Sequence, residues 1–278
     1  MLERLGRTTH RILRHPSRSI VDALGNMTEL HGIRVLVTGA TSGLGAAMAA
    51  ALAEAGARVM LTGRDQARVE AAAQALGPAA VPCRLDVRDE RSVAACVARA
   101  CDVWGGIDML VNNAGIGMRT VNPRFLSEPQ PFWEVTPAGF RDVLETKILG
   151  CFLMAREVVP LMLRQGGGRV VNISMNEATM VRRGFVPYGP AGAGVEALSR
   201  VMAADLAGSA VTVNILLPGG RGTRTGMVPD DAPAEVRARL LEPTVMGPPI
   251  VWLASDRAVG VHDRRIVANE FDAASMAS

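Results

Sequence analysis

Short apolar runs and longer segments of helical periodicity alternate along the chain from residue 33 onward. Each run is a few residues long and rich in β-branched side chains, which is typical of strands buried on both faces. The predicted strands cover residues 33–37, 58–62, 81–85, 108–112, 169–174, 211–217 and 265–268. The predicted helices cover residues 46–56, 66–76, 89–104, 138–165, 188–207 and 245–254. This alternation predicts one doubly wound α/β domain, in which a parallel sheet is covered by helices on both faces.

A glycine-rich turn follows the first predicted strand and leads directly into a helix. It contains Thr38, Gly39, Gly43 and Gly45 in the order Thr-Gly-x-x-x-Gly-x-Gly. Glycines let the backbone turn tightly and approach a pyrophosphate, and the free amides at a helix start attract its negative charge. We therefore predict a dinucleotide site at this turn, the alternative being an ordinary structural turn.

The end of the second predicted strand bears on the choice of cofactor. In doubly wound folds this point faces the adenosine ribose, where an acidic residue binds a 2′-hydroxyl and an arginine accommodates a 2′-phosphate. Arg64 follows the strand here, and Asp65 is placed to cap the next helix. The sequence thus favours NADP (NADPH) over NAD. The alternative is that Arg64 is a solvated residue at a helix start.

Basic residues are concentrated at the N-terminus. Residues 1–26 carry five arginines against Glu3 and Asp22, a balance of +3 that equals the formal charge of the whole chain. The rest of the chain is therefore neutral and gives no indication of nucleic-acid binding. We expect residues 1–26 to be an extension and residues 27–278 to form the domain. The alternative is a basic helix that docks on a partner or a membrane surface.

The positions of the cysteines and histidines argue against a disulfide-linked or metal-binding protein. The four cysteines lack the paired spacing of a disulfide framework or a zinc site, and none of the four histidines lies in a metal-ligand pattern. No apolar run is long enough to span a membrane, and the N-terminus lacks the apolar core of a secretion signal. We expect a cytoplasmic protein with no metal, no transmembrane segment and no nucleic-acid partner.

Three further motifs follow the glycine-rich turn. Asn112-Asn113-Ala114-Gly115 comes after the fourth strand, Tyr188 begins a helix, and Pro218-Gly219 with Thr223 comes after the sixth strand. In this order the motifs resemble the short-chain dehydrogenase/reductase family over roughly residues 28–271. The resemblance implies a seven-stranded Rossmann sheet, a nicotinamide cofactor, hydride transfer to or from a carbonyl or alcohol, and assembly as a homodimer or homotetramer.

The candidate cofactor-binding residues combine the glycine-rich turn, the adenosine end and the later motifs. Asp86 matches the aspartate that the family places beside the adenine. The full set is Thr38, Gly39, Thr41, Ser42, Gly43, Leu44, Gly45, Arg64, Asp86, Val87, Asn113, Ala114, Gly115, Pro218, Gly219 and Thr223.

The chain departs from the family at the catalytic positions, which are an asparagine, a serine, a tyrosine and a lysine. Tyr188 stands at the tyrosine position, but four residues later the chain has Gly192 in place of the lysine. Met175 stands at the serine position, and Ser174 serves there only if the following loop is one residue longer. Lys147 aligns with the asparagine.

Lys147 is the single lysine among 30 basic residues. We therefore predict that it extends into the volume left beside Gly192, brings its ammonium near Tyr188 and the nicotinamide ribose, and replaces the lost cation. A nearby cation lowers the pKa of a tyrosine and makes it a usable acid/base at neutral pH. The alternative is a solvated helix lysine. The candidate catalytic residues are Tyr188, Lys147 and Ser174.

Three functions fit this pattern. The favoured one is an NADP-dependent oxidoreductase acting on a small-molecule carbonyl or alcohol, with Tyr188 as acid/base. The alternatives are a non-redox enzyme on the same scaffold, catalysing a dehydration, isomerisation or cyclisation, and a catalytically silent binding protein. Residues 116–137, which include Phe125, Phe132 and Trp133, and residues 221–242 are expected to form substrate walls. Packing of residues 116–137 on their own domain is the alternative.

Overall fold

The computed structural model of the chain describes residues 30–220 and 222–277. The predicted extension at residues 1–26 lies outside these ranges. Within them, no helix combines the length and the apolar character needed to cross a lipid bilayer.

Seven parallel strands form one sheet. The strands are β1 (Arg34–Val37), β2 (Arg58–Gly63), β3 (Ala80–Arg84), β4 (Met109–Asn112), β5 (Gly168–Ile173), β6 (Val211–Leu217) and β7 (Arg265–Val267). Their order in the sheet is β3-β2-β1-β4-β5-β6-β7, and every neighbouring pair is parallel. The predicted doubly wound, seven-stranded sheet is confirmed. The order reverses between β1 and β4, which is where such sheets bind ligands at the carboxyl ends of their strands.

The helices lie between the strands. In the described part of the chain they are α1 (Gly43–Glu54), α2 (Gln66–Leu76), α3 (Glu90–Trp104), α4 (Pro137–Leu144), α5 (Gly150–Arg164), α6 (Glu177–Met180), α7 (Tyr188–Asp205), α8 (Ala234–Arg237) and α9 (Gly247–Ala254). A π-helical turn, Glu145–Leu149, joins α4 to α5.

The alternating faces of the strands produce two cores. In β1, Val35 and Val37 pack with the cluster that includes Leu52 of α1 and Trp252 of α9. Leu36, between them, belongs to the opposite cluster with residues of α3 and α5 such as Val158. Successive side chains of a strand point to opposite faces, so a continuous apolar run is required when both faces are covered.

Helix starts agree with the sequence where a side chain caps them. The Asp65 carboxylate accepts a hydrogen bond from the Arg68 amide at 3.1 Å, and Asp89 caps α3 through the Arg91 amide at 2.9 Å. The predicted start of the first helix at residue 46 is wrong, because α1 begins at Gly43. Glycine has low helix propensity, so the sequence pattern did not indicate that Gly43 and Gly45 belong to the first helical turn.

The segment predicted as one helix over residues 138–165 is interrupted by the π-helical turn. Within this turn the Thr146 hydroxyl donates to the Asp142 carbonyl at 2.8 Å, a side-chain bond that perturbs the regular ladder. Just beyond it, a β-carbon at Gly150 would lie 2.6 Å from Val87 Cγ2, so α5 passes very close to the loop after β3. Single π turns are frequent at functional sites, and this one contains Lys147.

A buried amide network ties the centre of the sheet to the helices. Asn172 on β5 accepts from Asn112 Nδ2 on β4 at 2.9 Å and donates to Ser199 Oγ on α7 at 2.8 Å. The Cys151 thiol on α5 also donates to Asn172 Oδ1 at 3.4 Å. Asn172 is completely buried, so each of these bonds satisfies a group that water does not reach.

Replacement of Asn172 by the similarly shaped Leu should destabilise the fold. The change leaves the buried amide of Asn112 without its partner, which costs about 1–3 kcal/mol. Urea unfolding followed by circular dichroism measures the effect. Gln74→Leu, at an exposed position of α2, is the matched control. Equal unfolding midpoints for the two variants would show that the network does not stabilise the sheet.

Candidate active site

The glycine-rich turn has the backbone conformation that its sequence indicated. Gly39 and Gly43 adopt φ angles of +63° and +58°, in the left-handed region that other residues rarely occupy. A β-carbon at Gly45 would collide with the Gly39 carbonyl oxygen and with the side chain of Asn113. The turn therefore needs these glycines, both for its conformation and for its close packing.

Hydrogen bonds from Thr38 and Asn113 join this turn to the turn after β4. Thr38 Oγ1 accepts from the backbone amides of Asn113 and Ala114, each at 2.9 Å. Asn113 Nδ2 returns the contact by donating to the carbonyls of Thr38 and Gly39 at 2.9 and 3.0 Å. The two turns thus form one rigid unit at the carboxyl ends of β1 and β4.

The start of α1 has the features of an anion site. Ser42 is the N-cap residue of this 12-residue helix, and its side chain makes no capping hydrogen bond. Thr41 and Leu44 are partly exposed beside it. The first amides of a helix lack internal acceptors and carry partial positive charge, so this turn fits a pyrophosphate.

Three arginines lie close to the ends of β2 and β3. Arg64 is exposed after β2, and its carbonyl accepts from Arg84 Nε at 3.2 Å. Arg88 makes two side-chain hydrogen bonds to Asp86, at 2.7 and 3.0 Å, and these bonds lower the pKa of that carboxyl group. Asp65 is occupied as a helix cap. Arg84 was not predicted from the sequence, because only the pairing of β2 with β3 brings it beside Arg64.

The loop after β6 contributes the remaining predicted cofactor residues. Gly219 has a φ of +79°, and a β-carbon there would collide with Asn269. Thr223 forms an isolated parallel bridge with Leu241, which ties the two ends of this loop together. Pro218 accepts the Asn269 amide at 3.2 Å, so the start of this loop is fixed to the segment after β7.

The structure brings Lys147 next to the ring of Tyr188. Lys147 lies in the π-helical turn and Tyr188 begins α7. The Lys147 ammonium nitrogen lies 5.1 Å from the centroid of the Tyr188 ring, against the ring face. A β-carbon at Gly115 would lie 3.3 Å from Lys147 Nζ, so the side chain runs along the Asn-Asn-Ala-Gly turn. The alternative of a solvated lysine does not describe this placement.

The prediction that Lys147 extends into the space beside Gly192 is wrong. Lys147 does not occupy the space beside Gly192, because a β-carbon at Gly192 would lie 2.6 Å from Met175 Cε and 2.9 Å from its sulfur. Met175, which stands at the family serine position, therefore fills the volume that the missing lysine side chain leaves. The two substitutions compensate for one another in volume, and Lys147 reaches Tyr188 from another side.

Burial shifts the pKa of both groups, although each side chain keeps some exposed surface. Loss of hydration lowers the pKa of Lys147 from 10.5 to about 8. The same effect raises the pKa of Tyr188 to about 12, so the lowering expected from a neighbouring cation is wrong and the hydroxyl stays protonated at neutral pH. Cys151, one helical turn after Lys147, is also kept protonated, with its pKa raised by burial to about 12.

The Ser174 side chain is bonded to Glu196. Its hydroxyl donates to Glu196 Oε1 at 2.6 Å, and Arg265 Nε contacts both oxygens of the same carboxylate at 3.0 Å. Arg265 also donates to the Met175 carbonyl at 3.1 Å. The structure thus brings Tyr188 and Lys147 together, and places Ser174 in a separate polar cluster on the β7 side.

Met227 is a site residue that the sequence analysis missed. The Tyr188 hydroxyl donates to Met227 Sδ at 3.6 Å, and a β-carbon at Gly117 would lie 2.9 Å from the same sulfur. Arg119 holds this loop in place by donating to the carbonyl of Gly226 at 3.0 Å and to Asp230 at 3.2 Å. Within the described residues 222–242, which were predicted to form a substrate wall, Met227 thus contacts Tyr188, and only the loop conformation identifies this contact.

The aromatic residues of the loop 116–137 divide into two groups. Phe125 is buried and stacks edge-on against Phe185 with centroids 5.4 Å apart, in a cluster that also contacts Tyr188. Phe132 and Trp133 pack on each other but remain 67% and 72% exposed. Phe125 therefore packs in the cluster that contacts Tyr188, whereas Phe132 and Trp133 lie on the surface.

The chain is similar to known dehydrogenases and reductases. The family model for short chain dehydrogenases matches residues 34–234. The chain is 32% identical over 246 residues to the 3-oxoacyl-acyl-carrier-protein reductase FabG of Vibrio cholerae, covering 86% of this chain and 97% of that protein. It is 36% identical to the cis-4-hydroxycyclohexanecarboxylate dehydrogenase of Sinomonas cyclohexanicum, covering 80% of this chain and 89% of that one.

A solved relative supports the same assignment. The 3-ketoacyl-(acyl-carrier-protein) reductase of Brucella melitensis, crystallised with NADH, superposes with a TM-score of 0.76 at 29% identity. The match covers 86% of this chain and 97% of the Brucella chain. The motifs, the sheet order and these comparisons agree, and the chain belongs to the short-chain dehydrogenase family.

Proposed function

We propose that the protein is an NADP-dependent oxidoreductase that interconverts a small carbonyl compound and its alcohol. The observation that carries this proposal is the Lys147 ammonium against the Tyr188 ring, beside Gly115 in an intact dinucleotide cradle. In this proposal the nicotinamide would meet its substrate beside this proton donor and this cation. The named activities of the V. cholerae and B. melitensis relatives, both reductases of ketoacyl groups, support a carbonyl substrate.

The cofactor would be held along the carboxyl edge of the sheet. The turn from Thr38 to Gly45 and the start of α1 would bind the pyrophosphate. Arg64, with Arg84 beside it, would bind a ribose 2′-phosphate, since guanidinium groups make charge-assisted bonds to phosphate oxygens. Asp65 is engaged as a helix cap, so it does not compete for the ribose hydroxyls. The bound cofactor supplies or accepts the hydride.

Tyr188 acts as the acid in the reduction direction. Burial keeps its hydroxyl protonated at neutral pH, so it donates a proton to the carbonyl oxygen as negative charge develops there. The tyrosinate that remains is then stabilised by the neighbouring Lys147 ammonium. We assign no proton-transfer step to Ser174, because its hydroxyl is bound to Glu196.

A second candidate is a non-redox enzyme on the same scaffold. Met175 fills the space beside Gly192, and Met227 contacts the Tyr188 hydroxyl, so two family catalytic positions are replaced by packing. In that case the protein would bind NADPH tightly and convert its substrate without net oxidation of the cofactor. Absorbance of NADPH during turnover with a panel of ketones separates the two candidates.

Replacement of Arg64 by Ala tests the cofactor preference. NADPH binding should weaken by about 1–3 kcal/mol, because one charge-assisted bond to the 2′-phosphate is lost, while NADH binding should stay unchanged. Isothermal titration with each cofactor measures both affinities. Arg68→Ala, an exposed arginine on α2, is the matched control. An equal loss for both cofactors in Arg64→Ala would contradict the assignment.

Lys147 should determine how the reductase activity depends on pH. Its pKa of about 8 means that the ammonium is lost as the pH rises through that value, so activity should fall there. Lys147→Met should reduce kcat by roughly a hundredfold at neutral pH, since the tyrosinate loses its cation. Lys147→Arg should retain low activity without the alkaline decline near pH 8, because a guanidinium does not titrate there. Identical pH profiles for wild type and Lys147→Met would refute the role.

A conventional family site should be recoverable by three changes together. Lys147→Asn with Gly192→Lys alone should lower Tm, because the new side chain would meet Met175. Adding Met175→Ser removes that collision and supplies the family serine. The triple variant should therefore be more active than Lys147→Asn and as stable as wild type. Kinetics with NADPH and thermal unfolding measure the two effects. A triple variant no better than the double one would show that Met175 does not block the position.

A further inference from the structure

The Tyr188 hydroxyl is bonded to a side chain of its own protein. It donates a hydrogen bond to Met227 Sδ at 3.6 Å. In the proposed reduction the same hydroxyl has to donate to the carbonyl oxygen of the substrate, so Met227 and the substrate compete for one donor. A thioether sulfur is only a weak acceptor, so a substrate carbonyl that displaces it gives the hydroxyl a stronger hydrogen bond.

The position of Met227 is fixed by the segment after β4 and by its own loop. A β-carbon at Gly117 would lie 2.9 Å from the Met227 sulfur and 3.0 Å from its Cγ, so the side chain packs directly on the Gly117 backbone. Gly117 has a φ of −101°, which other residues also adopt, so this glycine supplies space for the thioether. The Met227 amide also donates to Thr225 Oγ1 at 3.4 Å.

Arg119 holds the chain on both sides of Met227. Its Nη1 donates to the carbonyls of Gly226 and Val228, at 3.0 and 3.3 Å. Its Nη2 lies 3.2 Å from the Asp230 carboxylate in a salt bridge. A planar guanidinium offers several donors in a fixed arrangement, which the single ammonium of lysine lacks. Arg119 therefore determines where the thioether lies.

The loop that carries Met227 is closed at its base by bonds of its own. Arg224 forms a salt bridge with Glu242 at 2.9 Å, and the Arg224 amide donates to the Leu241 carbonyl at 2.9 Å. These bonds do not involve Arg119. Replacement of Arg119 should therefore change where the loop lies against Tyr188 while the base of the loop stays closed.

We propose that Met227 is a specificity-determining residue, whose thioether covers the Tyr188 hydroxyl until a carbonyl substrate displaces it, and that Arg119 is the residue that positions it. The inference rests on the proposed function for its substrate class, but the cover itself is a property of the protein without cofactor or substrate. Because the thioether contacts the hydroxyl that the carbonyl has to reach, the groups that flank the carbonyl have to fit beside residue 227. The side chain at this position therefore limits their size.

Acetylation of Tyr188 tests the cover without cofactor or substrate. N-acetylimidazole transfers its acetyl group to an accessible tyrosine hydroxyl, and imidazole leaves with the hydroxyl proton. Tyr188 is the single tyrosine of the chain, so the ester is assigned by the mass of one peptide. Hydroxylamine removes this ester and leaves acetylated amines intact. We expect Met227→Ala to be acetylated at least about fivefold faster than the wild type, since one hydrogen-bonded contact is lost.

Variants of Arg119 test the positioning role. Arg119→Met should also speed acetylation, because the carbonyls on either side of Met227 lose their donor while a side chain of similar length remains. Arg119→Lys should give an intermediate rate, since an ammonium restores only part of these bonds. Arg124→Met is the matched control, because Arg124 pairs with Glu128 within the same surface loop, and its rate should equal that of the wild type.

Steady-state kinetics with NADPH tests the specificity role. Met227→Ala should lower KM for ketones with bulky flanking groups more than it changes kcat, because Tyr188 and Lys147 remain in place. Equal acetylation rates in the wild type and Met227→Ala would overturn the cover, and a wild-type rate in Arg119→Met would overturn the positioning role. An unchanged KM for bulky ketones would overturn the specificity role. Failure of every ketone to oxidise NADPH would instead contradict the proposed reductase function, which the acetylation rates do not depend on.

Discussion

The hydrogen bonds around Thr38 are the constraint on which the candidate site depends. Thr38 accepts two backbone amides from the turn after β4, and Asn113 donates back to the glycine-rich turn. Because β1 and β4 are adjacent and parallel, both turns emerge at the same edge of the sheet. The hydrogen bonds between the two turns fix the start of α1, which is suited to a pyrophosphate. They also fix the position of Gly115, along which the Lys147 side chain extends.

Much of this arrangement could be predicted from the sequence, because its causes are local. A positive φ at Gly39 and Gly43 is a property that glycine alone accepts easily, so the spacing of the glycines indicated the turn. The strands are continuous apolar runs because both faces of the sheet are covered. Asp65 and Asp89 mark helix starts through hydrogen bonds to amides two or three residues away. These features need no knowledge of tertiary contacts.

The parts that could not be predicted depend on contacts between distant segments. Nothing near Lys147 in the sequence indicates a π turn, and nothing near Gly192 indicates that Met175 fills the space beside it. Met227 reaches Tyr188 only through the path of a long loop anchored by Arg119. The loss of the family lysine is therefore visible in the sequence, but its packing consequence is not. At the family lysine position on α7 the chain has Gly192, Met175 fills the space beside it, and Lys147 brings a cation to Tyr188 from a different helix.

The account rests on the ionisation of one amine, and a chain with a single lysine allows that amine to be observed alone. Protein labelled with 13C at the lysine ε-carbon should give one lysine signal, whose shift with pH reports the pKa of Lys147. The account predicts titration near pH 8 in the wild type and also in Tyr188→Phe, because burial lowers the pKa and phenylalanine keeps the ring face that the ammonium contacts. A signal that titrates near 10.5 in both proteins would mean that the lysine is solvated, and would contradict its assignment to the active site.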